Sequence, residues 1–283
     1  MKIDILSSDS FSVRSMATLV KTKEFSILID PGIALGIGRY GLDPTPLEIK
    51  AFENGRLKII KAAKEVENFA ITHFHFDHMP FFNDAEFYKI FQNKRVFIKN
   101  FEKNINFSQK KRGYVCNKIL SNLTKEIIMA DSKRFDNLEF SKPVWHGNKN
   151  SKLGYVLMTA IYDQKTFVHG SDIQMLNEDA LQELVRFDPD IVFMSGPPTY
   201  LKKIDFSFCE KFMNELVNKT RVKTAIIDHH LLRDMNYQEF FEKFKNIGVK
   251  ILTAAEFMGK ENLLLEARRK DFFQKNQSKD FKN

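Results

Sequence analysis

The chain has 283 residues, 43% of them hydrophobic, with 28 phenylalanines, a formal net charge of +8 and only two cysteines. That length and apolar share suffice to bury the core of one sizeable domain. Cys116 and Cys209 stand far apart without ligand or redox spacing, which excludes a disulfide framework and fits reduced core thiols.

In chain order, short β-rich runs are expected at 2–6, 12–20, 26–29, 69–72, 95–98, 155–160, 166–168, 191–194, 224–227 and 249–252. Helices are expected after Pro44 and Pro46 and within 178–185, 206–217, 237–244 and 261–269. Strands pairing inside with helices outside make an α/β (α+β) four-layer αββα sandwich over residues 1–271, a single domain. Residues 272–283 are polar and charged and read as a frayed tail. The N-terminus carries charge where a signal peptide needs an apolar run, and no stretch is long enough to span a bilayer. A soluble cytoplasmic protein with no membrane partner is therefore expected.

The densest chemistry lies in Ile71-Thr72-His73-Phe74-His75-Phe76-Asp77-His78. The chain holds seven histidines, and the other four, His146, His169, His229 and His230, fall in segments that read as ends of strands. Imidazole and carboxylate suit borderline cations such as Zn²⁺, Mn²⁺ or Fe²⁺. Residues two apart in extended chain point the same way, so His73 and His75 can grip one cation together. Asp77 and His78 are adjacent and diverge, which suits a second cation; two metals about 3.5–4 Å apart form the usual clamp for hydrolytic displacement. The competing reading is a polar loop whose histidines bond only to backbone.

This string resembles the His-x-His-x-Asp-His signature of the metallo-β-lactamase fold superfamily, with Thr72 ahead of it also usual there. The resemblance extends to Phe25-Ser26-Ile27-Leu28-Ile29-Asp30-Pro31-Gly32, where Asp30 is implied to support the ligands from behind. It implies His146 as the third ligand to the first metal and Asp172 as the bridge, although Gly170-Ser171-Asp172 departs from the commoner Gly-Asp-Thr. The last ligand is implied to be His229 or His230. In related tRNA-processing nucleases the ligand is followed four positions later by arginine, and Arg233 stands so to His229, which favours His229 and leaves His230 substrate-facing. His169 is expected to be a core or supporting histidine.

Across nearly its whole length the chain is also similar to a mainly archaeal family of metallo-β-lactamase-fold hydrolases. The likeness rests on Ser15-Met16-Ala17-Thr18, Arg39-Tyr40-Gly41-Leu42, Asn104-Ile105-Asn106-Phe107-Ser108-Gln109 and Ser195-Gly196-Pro197-Pro198-Thr199-Tyr200-Leu201. It implies a fold and a metal site but no substrate.

The hydrolase implied uses two divalent ions, zinc first, with a metal-activated water as nucleophile and no catalytic serine or cysteine. His73, His75 and His146 would hold one ion, Asp77, His78 and His229 the other, and Asp172 both. Asp77 would also orient the water or take its proton. The hint of substrate is charge. Lys94, Arg95, Lys99, Lys103, Lys110, Lys111, Arg112 and Lys118 face Glu102 alone, interleaved with Phe97, Phe101, Phe107 and Tyr114. This mixture suits phosphate contacts with base stacking, and so RNA or another phosphodiester, and equally a solvated helix face with core aromatics behind it. Esters, thioesters and lactones fit the metal cradle as well, and a non-catalytic nucleic-acid-binding member is the reading from another class. The short interval from Asp172 to His229 leaves no room for the large domain that certain nucleases insert there.

Overall fold

The computed structural model describes residues 1–201 and 204–280, with side chains described through Gln274. Strands β1 (Lys2–Ile5), β2 (Thr18–Lys21), β3 (Ser26–Ile29), β4 (Asn68–Ile71), β5 (Arg95–Ile98) and β6 (Glu126–Met129) form a six-stranded sheet in that order. The first three pair antiparallel. From β3 onward pairing is parallel, because helices Pro46–Ala63 and Phe107–Leu120 return the chain to the same end of the sheet before β4 and β6.

The second half adds β7 (Arg134–Phe135), β8 (Leu138–Phe140), β9 (Val144–Trp145), β10 (Tyr155–Val156), β11 (Thr159–Tyr162), β12 (Thr166–Ser171), β13 (Ile191–Ser195), β14 (Thr224–Asp228) and β15 (Lys250–Leu252). Seven of these make a sheet in the order β15-β14-β13-β12-β11-β8-β7, while β9 and β10 pair with each other.

Side-chain alternation builds the layers. On β4, Phe69 and Ile71 pack toward the helix-covered side with Ile59, Ala62, Cys116 and Leu120, whereas Ala70 joins Phe97, Phe140, Phe167 and Phe193 between the sheets. On β13, Val192 and Met194 face a third cluster with Leu184, Phe212 and Leu216 from the outer helices, while Phe193 faces inward. Three apolar seams between four layers give the αββα sandwich.

Local expectations fail where tertiary contacts decide. The run at 12–20 is strand only from Thr18, because residues 9–11 form a 3-10 turn held by side-chain bonds to Asp228. The run at 155–160 divides into β10 and β11 in different sheets. Strands β6, β7 and β8 lie where no element was expected; helix Phe107–Leu120 falls in the basic segment, one of whose readings was a helix face, and β9 ends just before His146, as the strand-end reading of that histidine required. No helix spans 261–268: Leu264 has φ +51°, and the Leu263 and Leu265 amides donate to Ser10 O and Ser12 Oγ. Helix begins at Arg269 and continues to Asp280 across most of the segment expected to be a frayed tail; 281–283 lie outside the described residues. No helix among the described residues is long and apolar enough to cross a membrane.

Arg269 fastens this helix to the domain. Its fully buried guanidinium donates to both Glu48 oxygens and to Gly36 O and Leu42 O at 2.7 and 2.9 Å, and Glu48 also closes the Thr45 capping box of helix Pro46–Ala63. Breaking a buried pair by removing one partner costs about 3–5 kcal/mol, since the other charge stays buried alone. Arg269→Ala is expected to lower unfolding free energy by that amount in a urea titration; a loss under about 1 kcal/mol, the worth of an exposed pair, would show Glu48 rescued by water.

Candidate metal centre

Ligand-bearing loops gather where β4, β9, β12 and β14 end. After β4 the chain is pinned by Asp30 just beyond β3. Asp30 Oδ1 accepts the Thr72 amide at 2.8 Å, and Oδ2 accepts the Thr72 hydroxyl at 2.7 Å and lies 2.8 Å from His78 Nδ1. His73 Nε2 and His75 Nδ1 then stand 3.0 Å apart, and His146 Nε2 lies 2.9 Å from Asp172 Oδ2. A register shift between His169 and Ser171, with Ser171 at φ +54°, redirects the end of β12 so that Asp172 enters the centre. His229 follows β14 at φ +56°, its Nε2 3.4 Å from both Asp77 Oδ2 and Asp172 Oδ1.

Two sets of ligand atoms result. Those of His73, His75, His146 and Asp172 lie within 4.8 Å of one another, as do those of Asp77, His78 and His229; either group could hold a metal ion. Ligands on one tetrahedral zinc are about 3.3 Å apart, given bonds of about 2.0–2.1 Å, and the separations of 3.0 Å for His73–His75, 2.9 Å for His146–Asp172 and 3.4 Å for His229–Asp77 lie close to that. A second observation agrees. His78 Nε2 and Asp172 Oδ1 are buried with no hydrogen-bond partner, a costly condition that a cation would relieve.

The far side of four of the rings is also held. His73 Nδ1 lies 3.2 Å from Thr72 Oγ1, His78 Nδ1 faces Asp30, His146 Nδ1 lies 3.4 Å from the Gln174 amide, and His229 Nδ1 lies 2.6 Å from Asp9 Oδ2. Such partners fix tautomer and orientation, leaving the inward nitrogen to donate its lone pair. Asp9 and Gln174 were not found from sequence. The polar run Ser7-Ser8-Asp9-Ser10 directly after β1 was the available signal for Asp9; Gln174 had none.

Burial and the neighbouring imidazoles His78 and His75 hold His73 neutral, and burial with His146 does the same to His75. Asp77 and Asp172 stay ionised despite burial, Asp77 through its bond to His229 and Asp172 through the charge of His229 and His78. Burial opposes charge on His78, but Asp172 and Asp30 outweigh it and lift its pKa to about 10. Asp172 and Asp9 likewise raise His229 against burial. The centre thus offers neutral imidazoles at His73 and His75 and two carboxylates, while His78 and His229 sit at positions that favour positive charge.

For the cation-free protein the sign of the pH effect follows. A pKa raised from 6.5 to about 10 gives His78 a stabilising term complete below 6.5 and lost as pH rises through 10. Metal must displace the same proton, so its affinity rises over that window. Melting of chelator-treated protein is expected to fall from neutral pH toward pH 10 while metal-loaded protein changes less; parallel curves would contradict this.

Arg233 and His230 complete the wall. Arg233 Nε donates to Asp9 Oδ1 at 2.7 Å, and Nη2 lies 3.1 Å from His229 Nε2 and 3.6 Å from Asp77 Oδ2. His230 Nε2 is 3.3 Å from Asp172 Oδ2, and burial beside Arg233 takes its pKa down to about 3. Asp172, His229 and His230 form a further ligand-spaced group, so both adjacent histidines reach the centre. His169 does not; it is buried between the sheets with Nε2 3.0 Å from Met16 O.

The basic segment is only partly free. Lys94 pairs with Glu67, Arg95 with Glu126, and buried Lys99 with Asp131, while Phe97 and Phe101 belong to the core. Phe107 and Tyr114 remain exposed at 84% and 49%. Arg112 differs from its neighbours. Half-buried over the Phe76 ring at 5.7 Å, with Nε unpartnered, its charge acts on both Asp77 and His75.

Two helix-covered sheets delivering histidines and aspartates to one edge define a metallo-β-lactamase fold. The metallo-β-lactamase fold protein YhfI of Bacillus subtilis superposes with TM-score 0.51 at 10% identity, covering 89% of this chain and 94% of that one. No family profile matches the sequence. The UPF0282 protein of Pyrococcus furiosus is 40% identical over 296 residues, covering 99% of this chain and 94% of the relative. That of Methanocaldococcus jannaschii is 39% identical over 291 residues, covering 97% of each. The chain belongs to the UPF0282 family.

Proposed function

We propose that the protein is a metal-dependent hydrolase that holds two divalent cations, zinc first with manganese or iron as alternatives, and cleaves a phosphodiester. The observation that carries the reading is the convergence of ligand atoms from four separate strand ends around Asp172, with the rings of His73, His78, His146 and His229 braced from behind. Bound divalent cations supply Lewis-acid polarisation and acidify water from a pKa of 15.7 to about 7.

The chain's own residues divide the remaining work. His73, His75 and His146 with Asp172 would hold one cation; Asp77, His78 and His229 with Asp172 the other. Asp77, ionised and near the mouth, is placed to orient the attacking water and accept its proton. Arg233 keeps positive charge beside Asp77, and the Arg112 charge also acts on Asp77. Buried donors with fixed charge suit a developing anion. Arg112 favours an anionic substrate over a neutral ester or lactone, since it has an unpartnered donor beside the centre.

The test is metal analysis followed by an activity screen of the whole chain against a phosphodiester, short RNA, a thioester and a lactone, with zinc and manganese compared. Metal-dependent cleavage of the phosphodiester is expected. Arg112→Gln should lower its kcat/KM roughly 10- to 100-fold, the worth of a hydrogen bond to a charged group. Cleavage of the thioester or lactone instead, untouched by that substitution, would keep the hydrolase and remove the phosphodiester. RNA binding with neither metal nor turnover would identify a binding module.

A further inference from the structure

On the far side of the Ser7–Phe11 stretch from the metal centre lies a cavity of about 630 Å³ between helix Pro46–Ala63 and the 260–265 segment. None of the candidate ligands lines it. Its walls are Leu6, Val13, Leu47, Leu265 and the Phe11 ring. Ligand pockets commonly measure about 300–1,000 Å³ and combine such walls with a few placed polar groups.

The polar groups here share one character. Lys50, Lys58 and Lys260 stand on the lining against Glu261, and none of the three lysines has an ion-pair partner among the described residues. Lys260 Nζ and Lys58 Nζ both approach the Phe11 ring, at 5.1 and 5.9 Å from its centroid. Two ammonium groups thus gather around one aromatic ring in the wall of an apolar hollow, and burial together with the Lys260 charge depresses the Lys58 pKa. The second observation is Ser7. It is 1% exposed, lines the cavity, and its Oγ has no hydrogen-bond partner. A buried hydroxyl without a partner is an unmet donor.

We propose that this cavity binds a small amphiphilic anion, one with a carboxylate or phosphate head and an apolar body. The lysine pair takes the head, since opposite charge between them removes their mutual repulsion. Phe11, Leu47 and Leu265 cover the body, whose transfer from water supplies the remaining affinity. The reading does not depend on the reaction at the metal centre.

Calorimetric titration of the metal-loaded full chain with decanoate and with decyl phosphate, each below its micelle concentration, tests it. Saturable binding of one molecule per chain is expected, with 1-decanol and inorganic phosphate each at least about tenfold weaker. The double variant Lys58→Gln/Lys260→Gln should lose about tenfold in affinity. Ala51→Trp, a partly exposed helix position on the lining, should abolish binding while the melting curve stays cooperative. Whichever anion binds tighter identifies the head. Absence of saturable binding, undiminished binding by the double variant, or decanoate retained by a folded Ala51→Trp protein would each overturn the proposal. If Ala51→Trp does not fold, the double variant decides alone.

Discussion

Asp77→Ala is expected to reduce metal-dependent turnover by roughly 10²–10⁴-fold, the usual contribution of a positioned acid–base group, with little loss of fold. Asp77 sits in a loop rather than in either sheet, its side chain 15% exposed, and its contacts all face the centre: His229 Nε2 at 3.4 Å and Arg233 Nη2 at 3.6 Å. Asp172 is not removed, so the cation shared by His73, His75 and His146 should stay. Metal content should therefore fall from about two per chain to one, while circular dichroism and melting remain close to the parent. Unchanged turnover would remove Asp77 from the chemistry. A parent stoichiometry of one would leave the hydrolase and remove the second cation, whose place near His229 Nε2 is shared with Arg233 Nη2 at 3.1 Å.

Gly32→Ala should damage the centre from a residue that carries no functional group. A Cβ at Gly32 would lie 2.1 Å from Met79 N, 2.4 Å from His78 C and 2.5 Å from His78 N. These are backbone atoms that no rotamer change can move. The loop carrying His78 must shift, breaking the 2.8 Å contact of His78 Nδ1 with Asp30. Overpacking of this kind costs about 1–3 kcal/mol or more, and here it also spoils ligand geometry. Denaturant titration should show that loss, and metal analysis a deficit at the Asp77–His78–His229 group. Full metal content at unchanged stability would mean the loop adapts freely and the glycine is incidental.

Much of the fold was legible because it rests on local patterns. Ser26–Ile29 and Arg95–Ile98 match their expected strands, and Glu178–Phe187 and Phe206–Lys219 their expected helices, to within two residues at the C-terminal ends. Periodicity and capping act over a few residues, so they are written locally. The 261–269 segment misled for the opposite reason. Its composition suits a helix, yet bonds to Ser10 and Ser12, far away in sequence, keep residues 261–268 out of one.

The chemistry divides the same way. The ligand types and their clustering at residues 73–78 could be read from the chain alone, because ligand chemistry depends on side-chain identity and His73 and His75 share a face by strand geometry; the role of Asp30 behind them came only from the family resemblance. The tertiary structure decided which distant groups meet them: that His169 turns to Met16 O, that Asp9 and Gln174 brace His229 and His146, and that within the basic segment it is the Arg112 charge that acts on Asp77 and His75. Those outcomes depend on how the ends of two sheets abut, and that is set by the packing of the Phe97, Phe140, Phe167 and Phe193 seam between them, to which strands of both sheets contribute.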